Sequence, residues 1–172
     1  MVIHCIIEGD LLETKQKYIA QQCNCITCKP HGLSKSISNK FKYGDIYGTR
    51  KKLTANTAIE EDRDEPGTIR ILESDDVKKS PHIICIFGQW SPGSPSSKWI
   101  YIYPKYKNIV ETSEQRLKWF EKAINYIDDD DRLQDEIISI PYKIGCGLAG
   151  GQWKQYKTIL TKAKTKFIIN KL

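Results

Sequence analysis

Apolar residues recur along the chain with two periods, and the switches between them mark out the elements. Short runs of β-branched and aromatic residues at 2–7 (VIHCII), 18–24 (YIAQQCN), 68–72 (TIRIL), 82–87 (HIICIF), 99–103 (WIYIY), 137–140 (IISI) and 167–169 (FII) predict strands. Several are apolar at consecutive positions, as strands covered on both faces are. Three other segments carry the helical period. Leu33, Ile37 and Phe41 form one stripe; Leu117, Phe120, Ile124 and Ile127 form a second behind a Thr112-x-x-Gln115 capping box; Trp153, Tyr156, Leu160 and Ala163 form a third. Strands alternating with helices predict an α/β fold in three layers, α/β/α.

The intervening segments 48–67 and 89–97 (QWSPGSPSS) are rich in charge or in Pro, Gly and Ser and are expected as surface loops. The acidic run 128–131 opposes a helix dipole at its C-terminus, so the second helix is expected to stop before Asp129.

A chain of 172 residues with 40% hydrophobic residues suits one domain spanning 1–172 and excludes wholesale disorder. No apolar run approaches the roughly 20 residues of a membrane helix, so no membrane partner is expected. Residues 1–10 lack the charged and apolar regions of a secretory leader. Six cysteines without a disulfide-framework spacing read as reduced thiols, and the protein is expected inside the cell, cytoplasmic or nuclear, as a monomer. Cys23, Cys25, Cys28 and His31 are all metal-capable, but C-x-C-x2-C-x2-H lacks the distant second knuckle of a structural zinc site. No metal and no cofactor are expected. The net charge is +6, and 137–172 holds seven lysines and no acid. That bias would favour an anionic ligand or polyanion, with a solvated helix face as the alternative reading of Lys157, Lys162, Lys164 and Lys166.

The most informative stretch is ISIPYKIGCGLAGGQW, 138–153, where a strand runs into Gly145, Gly147, Gly150 and Gly151 and then into an amphipathic helix. Glycines in that density let consecutive backbone N–H groups turn inward and form an anion nest beside a helix N-terminus. A flexible strand-to-helix turn is the alternative, and it needs fewer glycines. The spacing fits neither G-x-x-x-x-G-K-[ST] nor a G-x-G-x-x-G after a first strand, which disfavours a P-loop NTPase and a dinucleotide-binding enzyme.

In QQCNCITCKPHGLSKSISNKF, 21–41, a strand ends at Asn24 and a loop leads through Pro30, His31 and Gly32 into a helix. An amide at a strand's C-terminal end lies at the crevice where open α/β sheets bind ligands, where Asn24 could donate to and accept from a ribose diol. Asp10, in Glu8-Gly9-Asp10-Leu11-Leu12, could accept from an exocyclic amine, although an Asp after a Gly is commonly a turn former.

Gly-Asp-Leu after the first strand, Cys-Asn-Cys before a Gly-Leu-Ser helix, and Gly-Cys-Gly-Leu-Ala-Gly-Gly-x-Trp after a late strand together resemble a macro domain over essentially the whole chain. The likeness is strongest to the divergent branch of ADP-ribose-1''-phosphate phosphatases and terminal-ADP-ribose glycohydrolases. It implies a mixed central sheet between helices and an ADP-ribose cleft at the strand ends. Residue by residue, it implies Asp10 on the adenine amine with Leu11 beside the ring, Asn24 on the distal ribose, and Gly32, Leu33 and Ser34 along one side of the diphosphate. Gly145, Cys146, Gly147, Leu148, Ala149 and Gly150 would wrap the other side, with Gly151 closing the loop. Two departures matter: Cys28-Lys29-Pro30-His31-Gly32 replaces a glycine-rich first loop, and Ala149 stands where the glycohydrolases carry an Asp. The region of their catalytic Lys reads Asp64-Glu65-Pro66-Gly67. A lysine-adduct mechanism is therefore not expected.

Hydrolysis would need a positioned water and a general base. His31 is the candidate, because an imidazole exchanges protons near neutrality; Asp45, past the first helix, is a second. Cys146, flanked by glycines near a helix start, is a site where a thiol pKa could be lowered. Three functions follow: a hydrolase acting on an ADP-ribose derivative, which could be an ADP-ribosylated macromolecule; a non-catalytic ADP-ribose reader; and, least favoured, a nucleic-acid-binding protein, whose C-terminal lysines lack interleaved aromatic residues for stacking.

Overall fold

The parallel strands of the protein share one C-terminal edge, and that edge determines where a ligand can sit. The computed structural model describes residues 5–95 and 111–172; the strand expected at 99–103 lies outside the described residues. The elements are β1 (Cys5–Glu8), β2 (Tyr18–Asn24), α1 (Leu33–Lys40), β3 (Ile69–Leu72), β4 (His82–Gln89), α2 (Ser113–Asp129), β5 (Ile137–Pro141), α3 (Trp153–Lys162) and β6 (Lys166–Lys171). The sheet order is β1-β6-β5-β2-β4-β3, with β3 antiparallel to β4 and every other neighbouring pair parallel. Among the described residues it is a mixed six-stranded sheet of an α/β fold: the periodicity predicts the α/β alternation, and the mixed sheet is what the family resemblance implies.

Side-chain alternation sorts the core into two layers. Tyr18 and Ala20 of β2, Ile84 and Ile86 of β4, and Ile138 and Ile140 of β5 pack under Phe120, Ala123, Ile124 and Ile127 of α2 and Tyr156 and Leu160 of α3. The residues between them, Ile19, Cys23, Ile83, Cys85 and Phe87, pack on the other face against Ile37 of α1 and Phe41 just beyond it. The period-2 pattern thus feeds both cores from the same strands. β1 departs from the expected two-sided cover: it is an edge strand exposed along its length, with Ile6 46% exposed.

The acidic run does not end α2 early. The helix continues to Asp129 because Asp128 has a use outside the helix dipole: its carboxylate accepts from the backbone N–H of Lys164 and Thr165 and from the Thr165 hydroxyl, at 2.7–3.0 Å. The side chain so tied caps the turn into β6. Segment 48–67 is likewise more than a surface loop, since Arg50, Thr57, Ala58, Asp64, Pro66 and Gly67 are buried. Its polar composition conceals an internal ion pair. Gln89, Trp90 and Ser91 are buried too, so only the later part of the 89–97 segment can be a surface loop.

β2 and β5 are neighbours, yet the helix that follows β2 covers one face and the helix that follows β5 covers the other. Chains leaving adjacent strand ends in opposite directions open a crevice between them, the usual ligand site of an open α/β sheet.

Candidate functional site

A cleft of about 360 Å³ occupies that crevice. One wall is Lys29, His31, Gly32, Leu33 and Ser34, the other is formed by 141–145 and 147–149, and Gln22, Asn24, Tyr47 and Gln89 line it between them, with Pro92 and Gly93 at one side. Among the described residues, two lysines and a histidine line it and no carboxylate does. A space with that lining favours an anion.

The glycine wall owes its shape to close packing. Gly145 and Gly150 adopt φ of +73° and +79°, and a Cβ on Gly145 would stand 2.5 Å from the Tyr156 ring. On Gly151 it would stand 2.5 Å from the carbonyl oxygen of Gly145. Gly147 is different: its φ lies outside the left-handed region and nothing comes within 4 Å of a Cβ built there. Glycine at 147 therefore satisfies neither backbone strain nor packing, and a bare backbone toward the cleft is what it provides. Gly151 N–H donates to Gly145 O at 3.1 Å, Gly150 N–H to Gly147 O at 3.0 Å and Cys146 N–H to Lys143 O at 2.9 Å. The three consecutive N–H groups of Gly147, Leu148 and Ala149, all residues of the cleft lining, have no partner among the described residues.

On the opposite wall, Gly32 at φ +53° begins α1 without a side-chain cap, and the N–H groups of Gly32, Leu33 and Ser34 are without partners among the described residues. The helix start that reaches the cleft is therefore that of α1. The nest had been expected beside α3, but neither Gly151 nor the first residues of α3 line the cleft. The positive end of α1 and the glycine loop thus offer two sets of donors to one space.

Asn24 is fixed from several sides. Its Oδ1 accepts from Ile26 N–H, Thr27 N–H and the Thr27 hydroxyl at 2.9–3.1 Å, and its own N–H donates to the Tyr47 hydroxyl at 3.0 Å. With the oxygen fully engaged, the amide NH2 is what remains for a ligand. Asn24 can donate in the cleft but not both donate and accept, a correction to the expectation for a diol. Behind it lies a buried ion pair, Arg50 to Asp64 at 2.7 Å, whose guanidinium also donates to the carbonyls of Thr27 and Asn24 and stands 5.0 Å over the Tyr47 ring. Burial and the neighbouring Cys23 push the Tyr47 phenol well above its ordinary pKa, so it stays protonated. Ser34 turns its hydroxyl to Gln21 Oε1 at 2.9 Å, which leaves its backbone as its contribution to the wall.

The remaining candidates separate. His31 is exposed and lines the cleft. Asp45 does not line it; its carboxylate accepts from Gly48 N–H at 3.0 Å and holds a turn. Asp10 and Leu11 lie at the end of β1, outside the cleft lining. Asp10 caps a short 3-10 turn by accepting from Leu12 N–H at 2.9 Å, and Leu11 is buried in the α1-side core. Cys146 does not line the cleft either. Burial pushes its thiol up to about 11, against the pull of Lys143, which is the opposite of the lowered value considered from sequence. Cys23, Cys25 and Cys28 are buried, with Cys25 Sγ donating to Gln89 O at 3.3 Å. Among the described residues, no three His, Cys, Asp or Glu side chains are grouped to hold a metal ion.

Sequence reasoning missed Gln22, Tyr47, Gln89 and the two buried arginines. Gln22 and Gln89 are paired at 2.8 Å across β2 and β4 near the cleft. The available signal was position: Gln22 is polar inside an apolar strand run, two residues before Asn24.

The architecture is the macro domain fold, with the cleft at its switch point. Solved structures with this fold include the macrodomain of Mycobacterium tuberculosis DarG, at a TM-score of 0.64 and 16% identity over 99% of this chain and 98% of that one. The macrodomain of Thermus aquaticus DarG matches at 0.62 and 13% identity over the same shares. No family model and no curated protein matches the chain by sequence.

Proposed function

We propose that the protein binds ADP-ribose in this cleft and hydrolyses an ADP-ribose derivative, removing ADP-ribose from a protein or nucleic acid or dephosphorylating ADP-ribose-1''-phosphate. It would then stand in the divergent branch of macro domains that carry out such reactions. The observation that supports this reading best is the pair of facing donor sets, Gly147–Leu148–Ala149 and Gly32–Leu33–Ser34, on an acid-free cleft. Two phosphates in series suit two donor sets better than one phosphate does. The Asn24 amide donates to a hydroxyl of the distal ribose. Asp10, at the same strand edge, has one carboxylate oxygen outside its cap and takes the adenine amine.

His31 is the general base: it draws a proton from a water whose oxygen bonds to C1'' of the distal ribose, or to phosphorus in the 1''-phosphate. The bond from that atom to the leaving oxygen breaks, and that oxygen takes the proton back from His31 while backbone N–H groups still hold the diphosphate. Among the described residues, no carboxylate lines the cleft to compete for that role. The working unit in this reading is a monomer. The reader module is the second reading, supported by the exposure of His31 to solvent, where nothing among the described residues fixes its ring.

Calorimetry with ADP-ribose and with AMP, followed by incubation with ADP-ribosylated protein and with ADP-ribose-1''-phosphate, tests both. ADP-ribose should bind far more tightly than AMP, and His31→Ala should bind normally while losing turnover. Binding without turnover in the native protein leaves the reader. Equal affinity for AMP rejects the diphosphate assignment. Binding that falls steeply with salt and does not distinguish ADP-ribose from other polyanions points to the lysine-rich surface instead.

A further inference from the structure

Two residues outside the cleft hold the glycine loop by its carbonyls, and we infer that Ser94 and Arg116 are positioning residues of the anion cradle; this rests on the proposed binding mode. A trans peptide is planar, with its C=O and N–H pointing in opposite directions. Fixing a carbonyl therefore aims the N–H of the following residue. The Ser94 hydroxyl donates to Leu148 O at 3.2 Å, which turns Ala149 N–H away from Ser94. Gly150 N–H donates to Gly147 O at 3.0 Å, which fixes Leu148 N–H in the same way. Arg116 Nη1 donates to Ala149 O at 3.0 Å. The N–H of that last peptide is the Gly150 N–H just named, so the peptide is held at both ends.

Arg116 is 1% exposed and binds both sides of the junction. It pairs with buried Glu111 at 2.8 Å and donates to the carbonyls of Ser91 and Gly93. Glu111 in turn accepts from Trp90 N–H and Ser91 N–H. One planar guanidinium thus sets the distance between the 91–94 segment, which supplies Ser94, and the 147–149 donors. A lysine has no such fork of donors. Donors aimed before a ligand arrives cost less to order on binding.

Ser94 is exposed, so Ser94→Ala removes a hydroxyl without opening a cavity. The expected result is an unchanged melting temperature, shifted Leu148 and Ala149 amide resonances in the ligand-free protein, and ADP-ribose and inorganic pyrophosphate affinities lower by about threefold to tenfold. Ser94→Thr, which keeps the hydroxyl, should restore the amide resonances and both affinities. Arg116→Lys should lower both affinities by more than about tenfold and also lower the melting temperature. Unmoved amides with native affinities in Ser94→Ala, or a loss that Ser94→Thr does not restore, would overturn the inference. If the native protein binds neither ADP-ribose nor pyrophosphate, the functional reading fails. The ligand-free amide shifts of Ser94→Ala still decide whether the loop is positioned from Ser94.

Discussion

The two walls of the cleft reach a similar end by opposite construction. The α1 wall uses a helix start and one side chain, Asn24, whose oxygen is spent on its own loop and whose backbone is braced by Arg50. The glycine wall uses backbone alone, three N–H groups left over after the carbonyls around them have been taken. Each is backed by a buried arginine–carboxylate pair, Arg50–Asp64 and Arg116–Glu111. The difference shows how backbone donors can be fixed from behind: the two buried arginines are neutralised by carboxylates and brace the walls, while Lys29 and Lys143 of the lining add positive charge to the cleft itself. Buried pairs of this kind contribute little net stability, but removing one partner leaves an uncompensated charge.

The largest expected effect breaks the glycine wall alone. Gly147→Glu projects a carboxylate into open space beside three donors, so it should abolish ADP-ribose binding, a loss of several kcal/mol, with the melting temperature near native because position 147 has neither strain nor contact. Calorimetry and a thermal melt on the same variant check it; a destabilised variant with near-native affinity would make the loop a mere connection. Next, Arg50→Met should lower unfolding free energy by about 3 kcal/mol, since it strands buried Asp64 with Arg70 as its remaining partner. Urea unfolding measures this, and a native midpoint would show that the α1 wall needs no brace.

Asp10→Asn keeps an oxygen for Leu12 N–H and removes the charge, so binding should weaken by about 1 to 2 kcal/mol through the lost charge-assisted hydrogen bond. Unchanged affinity would make Asp10 a turn cap only. The smallest effect belongs to Cys146. With its thiol pushed up to about 11, it remains protonated at pH 8, so alkylation by iodoacetamide should be slow there and Cys146→Ser should bind ADP-ribose as the native protein does. Rapid alkylation at pH 7 would contradict that environment.

The glycine wall was legible in the sequence because its signal is local: four glycines within seven residues between a strand and a helix. What remained hidden was which helix start would share the space, because that depends on β2 and β5 being neighbours, a pairing between residues more than a hundred positions apart. The braces were hidden for a related reason. Arg50 and Asp64 sit in a segment whose polarity reads as solvent-facing, and only the fold turns their charges inward. Asn24 was legible as a strand-end amide, whereas the commitment of its oxygen to Thr27 depends on a turn that no periodicity records.

In the proposed binding mode both walls grip one diphosphate. Titrating uniformly 15N-labelled protein with ADP-ribose tests it most directly: the amides of Gly147, Leu148 and Ala149 and those of Gly32, Leu33 and Ser34 should shift together along one saturation curve, while AMP should not move both sets. Shifts confined to a single wall, or to the lysines of α3 and β6, would contradict it.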